Sequence, residues 1–563
     1  MLHPWLKHFE AGVPKNPGIP AIPLHELLSE SARRFPQKTA ITFYGTRITY
    51  RELDDQSNRF GNALKGLGVK RGDRVTVMLP NVPHCVIAYY AILKIGAIVV
   101  QTNPLYVERE LDYQIRDSGS EVIIALDLFY PRIEAVREKS GIRKIIICHV
   151  TDFLPPVLKL IYPIKSMLEG QRVKVDRKEY IDEFISLLRK GSPLREHQVI
   201  DPGEVALLQY TGGTTGTAKG VMLTHANIVS NTVQCRTWMP ELREGEEIFL
   251  AVIPFFHVFG MTACMNLAIY LGGNMILIPK FKTAEVIGAI EKHRATVFFG
   301  VQAMYVAINH FEGIQSRNLS SIKVCISGGG PLHAEVQERF EELTHGKLVE
   351  GFGLTEASPV THCNPINGLR KKGAIGIPLP GTEARIVDLE TGEKVLRPGE
   401  TGELVVRGPQ VMKGYWNHPA ETAHAIRNGW LYTGDMAKMD DDGFFFVVDR
   451  KKDMIKTVGE NVYPREVEEA LFRFPKVKEA VVVGLPDTFS VEIIKAYIVL
   501  NDGESATEEE ILAFCARNLA KFKIPKRIEF RQELPKTIVG KVLRRILLEE
   551  EMKKVNRNQG KSI

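Results

Sequence analysis

Four threonines, four glycines and a lysine crowd into one short stretch, YTGGTTGTAKG at residues 210–220. Small hydroxyl residues set between glycines let a backbone approach a ligand closely and supply N–H and O–H donors, as an oligophosphate requires. A Walker A loop needs Gly-x4-Gly-Lys-Ser/Thr. Here Lys219 follows Ala218 and precedes Gly220, so a conventional P-loop is excluded. A flexible Gly/Thr turn is the bland alternative. The concentration of Thr211, Thr214, Thr215 and Thr217 beside Lys219 moves the reading toward phosphate.

Something must hold such a loop. EVALLQY precedes it and reads as a strand, and a short strand and a helix follow. Through much of the first 350 residues, β-branched runs alternate with helical patterns: RVTVMLP then HCVIAYYAILKIG, ATVFFG then AMYVAINHF, SIKVCIS then HAEVQERFEELT. That alternation predicts α/β layers with largely buried sheets. From 373 to 448 the texture changes to short strands between Gly-rich turns, a β-rich subdomain expected on the same large unit. After DRKKD at 449–453 the pattern runs helix, strand, strand, helix, strand, which suits a small α+β domain. The expected domains are 1–449 and 450–563.

Between residues 248 and 279 no Asp, Glu, Lys or Arg occurs, a length that could span a bilayer. Pro254, His257, Gly260, Asn266, Gly272, Gly273 and Asn274 break it up, so it reads as buried strand, loop, helix and strand. The stretch 151–170 is apolar and basic without a clean period. It reads as a packed insertion or, less favoured, as a surface excursion touching lipid.

The bulk composition is globular: 44% hydrophobic and 25% charged, with a formal net charge of +6. This charge is compatible with anionic substrates or an acidic membrane surface and demands neither. Seven isolated cysteines make no C-x-x-C pair and no closed disulfide framework, which fits a reducing compartment. The N-terminus has no signal-peptide core, and the final Gly-Lys-Ser-Ile falls short of a peroxisomal address. A cytoplasmic protein is expected, with room for peripheral contact at the inner membrane face.

The loop at 210–220 resembles the phosphate loop of the adenylate-forming superfamily, which includes acyl-CoA synthetases, luciferases and peptide-synthetase adenylation domains. Other segments resemble that superfamily in order. EGFGLTE at 350–356 resembles the segment in which an aromatic ring stacks on adenine, a threonine contacts phosphate and a glutamate helps hold Mg²⁺. By position these are Phe352, Thr355 and Glu356, with Gly353 between them; the family usually has Tyr where Phe352 stands. SGGGP at 327–331, with Gly328, Gly329 and Gly330, resembles the small turn bordering adenine and the acyl pocket. NGWLYTGD at 428–435 resembles the ribose-binding segment ending in Asp435. In VDRKKD at 448–453, Arg450 resembles the residue that also reaches the nucleotide, and Lys452 the hinge. LPKTIVGKVLRR at 534–545 resembles the segment carrying the catalytic lysine, at Lys541. Thr211, Gly212, Gly213, Thr214, Thr215, Gly216 and Lys219 would bind ATP. The resemblance implies an α/β fold: a large N-terminal adenylate-forming domain, with α/β layers plus a β-rich subdomain, and a small mobile α+β C-terminal domain.

PFFHVFG at 254–260 resembles the loop that sets a histidine, here His257, beside the substrate carboxylate in acyl and aryl ligases. Phe256, Phe259, Met261 and Met304 give this neighbourhood an apolar, adaptable lining suited to an alkyl chain. No acidic residue is evident there to pair with an amino-acid ammonium, and the chain ends soon after Lys541 with no carrier domain expected. The whole looks most like bacterial long-chain fatty acid–CoA ligases, which implies ATP, Mg²⁺ and coenzyme A as cofactors. Gly459 lies where the family's small residue lets pantetheine pass. Departures occur at Glu460-Asn461 and at Ser490-Val491-Glu492. The basic run from Lys521 to Arg545 would hold the CoA phosphates, with no nucleic-acid module beside it. A homodimer is compatible. A medium-chain or aryl/phenylpropanoid acid–CoA ligase and a catalytically silent lipid-binding relative remain the alternatives, with a luciferase-like oxidase further off.

Overall fold

The computed structural model describes residues 3–168, 173–194, 198–211, 218–451, 453–457, 460–487, 491–537 and 542–559. The chain divides into two compact units. One comprises residues 5–383 and 407–431; the other comprises 1–4, 384–406 and 432–563.

The larger unit is built on two sheets. In the first the strand order is Ile377–Pro378, Val360–Cys363, Lys347–Gly353, Val324–Ser327, Val297–Gly300, Ile248–Ala251, Asn274–Leu277, Thr39–Phe43 and Thr46–Thr49. Its centre is parallel, with Val297↔Val324 and Ser327↔Glu350 in register. The second runs Gly414–Tyr415, Lys219–Thr224, Val205–Thr211, Ile98–Gln101, Arg74–Met78, Val122–Leu126, Lys144–Cys148 and Ile181–Glu183. Parallel neighbours need crossovers, and helices supply them. Helix Tyr50–Gly66 starts at a capping box in which Thr49 and Glu52 satisfy each other's backbone N–H groups. Helix Pro83–Lys94 has a proline in its first turn and is buried on every side, as a helix apolar all round must be.

The uncharged stretch after residue 247 forms strand Ile248–Ala251, a π-helical segment Gly260–Asn266, a short helix Leu267–Tyr270 and strand Asn274–Leu277. This is the buried, broken path expected from its glycines and proline. No helix among the described residues is long and apolar enough to cross a membrane. The stretch 151–170 departs from the favoured expectation of a packed insertion. Its helix, Pro156–Leu168, leaves Val157, Leu158, Leu160, Ile161 and Met167 exposed.

In the smaller unit, strands Glu383–Val387, Gly402–Arg407, Trp430–Met439 and Phe445–Arg450 form the β-rich sheet anticipated from the Gly-punctuated pattern. A second sheet joins Val477–Asp487, Val491–Leu500 and Arg527–Phe530. Residues alternate between its faces with the period of two that strands impose. Val482, Ile494, Ala496 and Ile498 pack with Val467, Leu471, Ile511 and Cys515 from helices Pro464–Phe472 and Glu508–Asn518. Val481, Val483, Tyr497 and Val499 pack with Leu534 and Leu547 on the other face.

Part of the basic run from Lys521 to Arg545 is ion-paired. Arg544 pairs with Glu468 and Asp453, Arg531 with Glu529 and Glu550, Lys536 with Glu479 and Lys523 with Glu466. Acidic residues, most of them distant in sequence, thus balance part of the charge.

Candidate active site

The strand EVALLQY and the strand after the phosphate loop form one antiparallel hairpin, paired from Val205↔Thr224 to Thr211↔Lys219. Two described edges of the loop, Thr211 and Lys219, face each other across the last rung. Gly212, Gly213, Thr214, Thr215 and Gly216 lie outside the described residues, as do Lys452, Gly459 and Lys541.

A third strand completes this edge. Gly414 pairs with Met222 and Tyr415 with Val221, while Trp416 N–H donates to the Gly220 carbonyl at 2.8 Å. Tyr415 is thereby laid beside the lysine: Lys219 Nζ sits 5.1 Å from the centre of its ring, within cation–π range. The Tyr415 hydroxyl donates to Glu356 Oε1 at 2.8 Å, and the Glu356 carbonyl accepts from Met412 N–H at 2.8 Å. One tyrosine thus links the lysine of the phosphate loop to the carboxylate at the end of the 350–356 motif. Burial first, then the Glu356 charge and hydrogen bond, pushes the Tyr415 phenol far above its ordinary value. It stays a donor throughout the working pH range.

The remaining motif residues of this unit gather where the parallel strands end, the end at which open α/β sheets bind ligands. Strands Val324–Ser327 and Lys347–Gly353 run side by side, so Gly328 to Gly330 emerge next to Gly351 to Gly353. Glu350 Oε2 accepts the Leu332 N–H at 2.9 Å and closes the glycine turn. Phe352 is half-buried and meets His362 edge-on at 6.1 Å, leaving part of its ring accessible. Burial depresses His362 to about 3, so that imidazole is neutral. At Gly353 a Cβ would lie 2.2 Å from the Pro359 carbonyl oxygen, a position only glycine can fill. Thr355 and Glu356 follow in the 3₁₀ turn Thr355–Ala357.

The glycine turn adjoins the apolar loop. A Cβ on Gly328 would meet the Phe259 ring at 3.0 Å, and Phe259 stacks on Phe299 at 6.3 Å and 25°. Phe259 N–H donates to His257 Nδ1 at 3.2 Å, so the neutral imidazole carries its proton on Nε2, the atom able to donate. Phe259, Met261 and Met304 are buried, while Phe256 and His257 are half-buried.

Two residues that hold this loop escaped sequence reasoning. Asn81 donates to the carbonyls of Ala251 and Ile253 at 3.0 and 2.9 Å and accepts from Phe255 N–H at 2.8 Å. Gln209, on the hairpin strand, donates to the Phe256 carbonyl at 2.8 Å. Both are buried amides tying one sheet to the loop of the other. Pattern alone does not reveal them, because their partners lie 47 to 174 residues away.

In the smaller unit Asp435 and Arg450 stand opposite each other on paired strands. Arg450 Nε lies 2.6 Å from Asp435 Oδ1, and Asp435 is buried. The strand is pinned by Thr433 Oγ1, which donates to the Leu404 carbonyl at 2.7 Å and accepts the Asp435 N–H at 3.1 Å. Glu403 accepts from Gly434 N–H at 3.1 Å and pairs with Lys451 at 2.8 Å. A guanidinium on one oxygen of a buried carboxylate makes a charge-assisted pair.

The hairpin around residues 205–224, the Glu356 carboxylate held by Tyr415 beside Lys219 and the apolar loop with His257 are the described parts of the candidate site. The AMP-binding enzyme family matches residues 28–416 and the AMP-binding enzyme C-terminal domain matches residues 466–541; the chain belongs to this family. It is 49% identical to a long-chain-fatty-acid–CoA ligase of Bacillus subtilis, covering 97% of this chain and 98% of that one. A second ligase of that name, from Escherichia coli O157:H7, is 39% identical over 98% of this chain and 99% of its own length. Among solved structures, ATP-bound MatB from Rhodopseudomonas palustris superposes with a TM-score of 0.82 at 28% identity, over 94% of this chain and 99% of that one.

Proposed function

We propose that this protein is an ATP-dependent long-chain fatty acid–CoA ligase. The carboxylate oxygen attacks the α-phosphorus of ATP, an O–P bond forms and pyrophosphate leaves. The sulfur of coenzyme A then attacks the acyl carbonyl, AMP leaves, and the thiol proton passes to solvent. Among features of the geometry, the Lys219–Tyr415–Glu356 constellation at the mouth of the phosphate loop carries the reading most directly. Full-length similarity to fatty acid–CoA ligases supports the substrate class.

In this reading Thr211, Gly212, Gly213, Thr214, Thr215, Gly216 and Lys219 cradle the phosphates. Phe352 stacks on adenine beside Gly328, Gly329, Gly330 and Gly353. Asp435 accepts the ribose hydroxyls while Arg450 pairs with it and reaches the nucleotide. Thr355 donates to phosphate. His257 donates from Nε2 to the substrate carboxylate, and Phe256, Phe259, Met261 and Met304 line the alkyl channel. Lys541 spans the two anions that adenylation brings together, lowering their repulsion most in the transition state. Residues 450–563 then turn about Lys452, withdraw Lys541 and bring Gly459 to the pantetheine path.

Mg²⁺ fits this donor set. No group of three or more His, Cys, Asp or Glu side chains forms a metal cage among the described residues. Glu356 instead offers a hard oxygen ligand beside the phosphate loop, and Mg²⁺ prefers one or two carboxylates plus substrate phosphates and water. Glu356 would hold it, and the ion would neutralise phosphate charge.

The test is pyrophosphate release with ATP, Mg²⁺ and a ladder of saturated fatty acids, with and without coenzyme A. Long chains should drive release, and coenzyme A should yield the thioester. Activation of aryl acids alone would replace the substrate class. No activation of any acid would leave a silent lipid-binding relative.

A further inference from the structure

Helix Glu108–Ser118 stops at Gly119, whose backbone is left-handed with φ 64°. The carbonyls at such an end have no partner within the helix, and side chains from elsewhere take them. Arg74 donates to the carbonyls of Ser118 and Gly119 at 2.8 and 3.0 Å. Trp416 Nε1 and Asn417 Nδ2 donate to the carbonyl of Asp117 at 3.1 and 3.3 Å. The Asp117 side chain needs a different account. A carboxylate in the last turn of a helix opposes the macrodipole, and a residue that breaks a local rule is explained by what it does elsewhere.

That carboxylate reaches the hairpin of the candidate site. Asp117 Oδ2 accepts the Tyr210 hydroxyl at 2.6 Å, and Oδ1 lies 3.9 Å from His418 Nε2. Tyr210 is the first residue of the YTGGTTGTAKG stretch; it is buried and pairs in register with Gly220, the last. A Cβ on Gly220 would lie 3.1 Å from the Tyr210 ring, so the ring fills the space that glycine leaves. Burial first, then the hydrogen bond and charge of Asp117, raises the Tyr210 phenol far above its ordinary value, and its hydroxyl remains a donor. Trp416 closes the circuit, with its backbone N–H on the Gly220 carbonyl and its indole on Asp117. Asp117 thus holds both ends of the stretch, Tyr210 directly and Gly220 through Trp416. Lys219 is the neighbour of Gly220, and Tyr415, which carries Glu356, is the neighbour of Trp416.

We propose that Asp117 is a positioning residue for ATP: by fixing the Tyr210 hydroxyl it holds the ring against Gly220 and so sets Lys219 for the triphosphate. It acts through Tyr210 rather than on the nucleotide itself. The role deepens the ATP-dependent reading above and rests on it.

The test is pyrophosphate release with ATP and fatty acid varied separately, beside calorimetric binding of a non-hydrolysable ATP analogue with no acid present. Tyr210→Phe and Asp117→Ala should each raise half-saturation by ATP about tenfold, the effect of one hydrogen bond to a charged group. Half-saturation by the fatty acid should stay at the wild-type value. The double variant should be no worse than Asp117→Ala alone, since the two share one interaction. Asp117→Asn keeps an acceptor oxygen and should recover most of the ATP affinity. Tyr50→Phe removes a different buried hydroxyl, one that donates to the Gly273 carbonyl at 2.6 Å; it should lower the melting temperature and leave the ATP dependence unmoved. Unchanged ATP affinity in Tyr210→Phe, additive losses in the double variant, Asp117→Asn as weak as Asp117→Ala, or an equal effect of Tyr50→Phe each overturns the proposal. If wild type binds the analogue yet activates no acid, the acid-activating reading falls, and the calorimetric order of the variants alone decides the role of Asp117.

Discussion

Replacing Tyr415 with phenylalanine removes one oxygen atom and separates two functions of the same ring. The hydroxyl donates to Glu356 at 2.8 Å, while the ring face carries Lys219 at 5.1 Å. Phenylalanine keeps the second contact and loses the first. A hydrogen bond to a charged group contributes about 1.5–3 kcal/mol. Tyr415 and Glu356 are both half-buried, so water replaces part of the loss and the lower end applies. At 1.36 kcal/mol per decade, about 1.5 kcal/mol corresponds to roughly a tenfold change. If Tyr415 orients the carboxylate that holds Mg²⁺, acid-dependent pyrophosphate release should fall about tenfold, and half-saturation should need more Mg²⁺. Tyr415→Leu also removes the ring and should fall further. In a Glu356→Gln background, Tyr415→Phe should cost little, because its charged partner is gone and the two effects are not additive. The assay is initial-rate pyrophosphate release across a Mg²⁺ titration, with melting temperature as a control. An unchanged rate and Mg²⁺ dependence in Tyr415→Phe, or full additivity with Glu356→Gln, would refute a positioning role.

Lys541→Ala should cut adenylation by about two to three orders of magnitude, while conversion of preformed acyl-adenylate to thioester survives. Gly459→Leu should do the opposite, and equal loss of both half-reactions in either variant would sink its assignment. Gly328→Ala puts a Cβ 3.0 Å from the Phe259 ring; the ring must shift, and kcat/KM for long acids should drop by about one decade, an overpacking cost of 1–2 kcal/mol. A fall in ATP affinity alone would place the pressure on the nucleotide side instead. Hydrogen bonds to Asp127 and then Glu183 raise His149 from 6.5 to about 10. A raised folded-state value stabilises fully below pH 6.5, and that stability is lost as pH climbs toward 10. Melting temperature against pH should therefore decline less steeply over that window in His149→Gln than in wild type; parallel curves would remove His149 from the balance.

Much of the architecture was legible because it follows from local chemistry. Alternating β-branched and helical runs marked the parallel layers. Gly-punctuated short strands marked the β-rich stretch, and the broken apolar run at 248–279 disclosed itself as buried through its glycines and proline. The motifs at 210–220, 350–356 and 428–435 were nominated for a similar reason, since close backbone approach to a ligand would demand particular residue types at fixed spacing. Where the compact units divide depends on contacts rather than on texture: residues 384–406 and 432–449 group with the C-terminal residues. The ion pairing of the basic run at 521–545 was not legible, because charge in sequence says nothing of partners in space, and Glu468, Glu479 and Glu550 arrive from elsewhere in the chain.

Residue types and spacings thus determined the layered fold, and the motifs pointed to the family through their resemblance to it, since each is a property of short segments. Only the tertiary structure decided how their chemical groups are held. Tyr415 meets Glu356 across 59 residues, Asn81 clasps the histidine loop across 174, and an apolar helix lies exposed where a packed insertion was favoured. These are long-range pairings and exposures, and chain separation carries no local signal of which distant side chain will satisfy a buried amide or leave an aliphatic face uncovered.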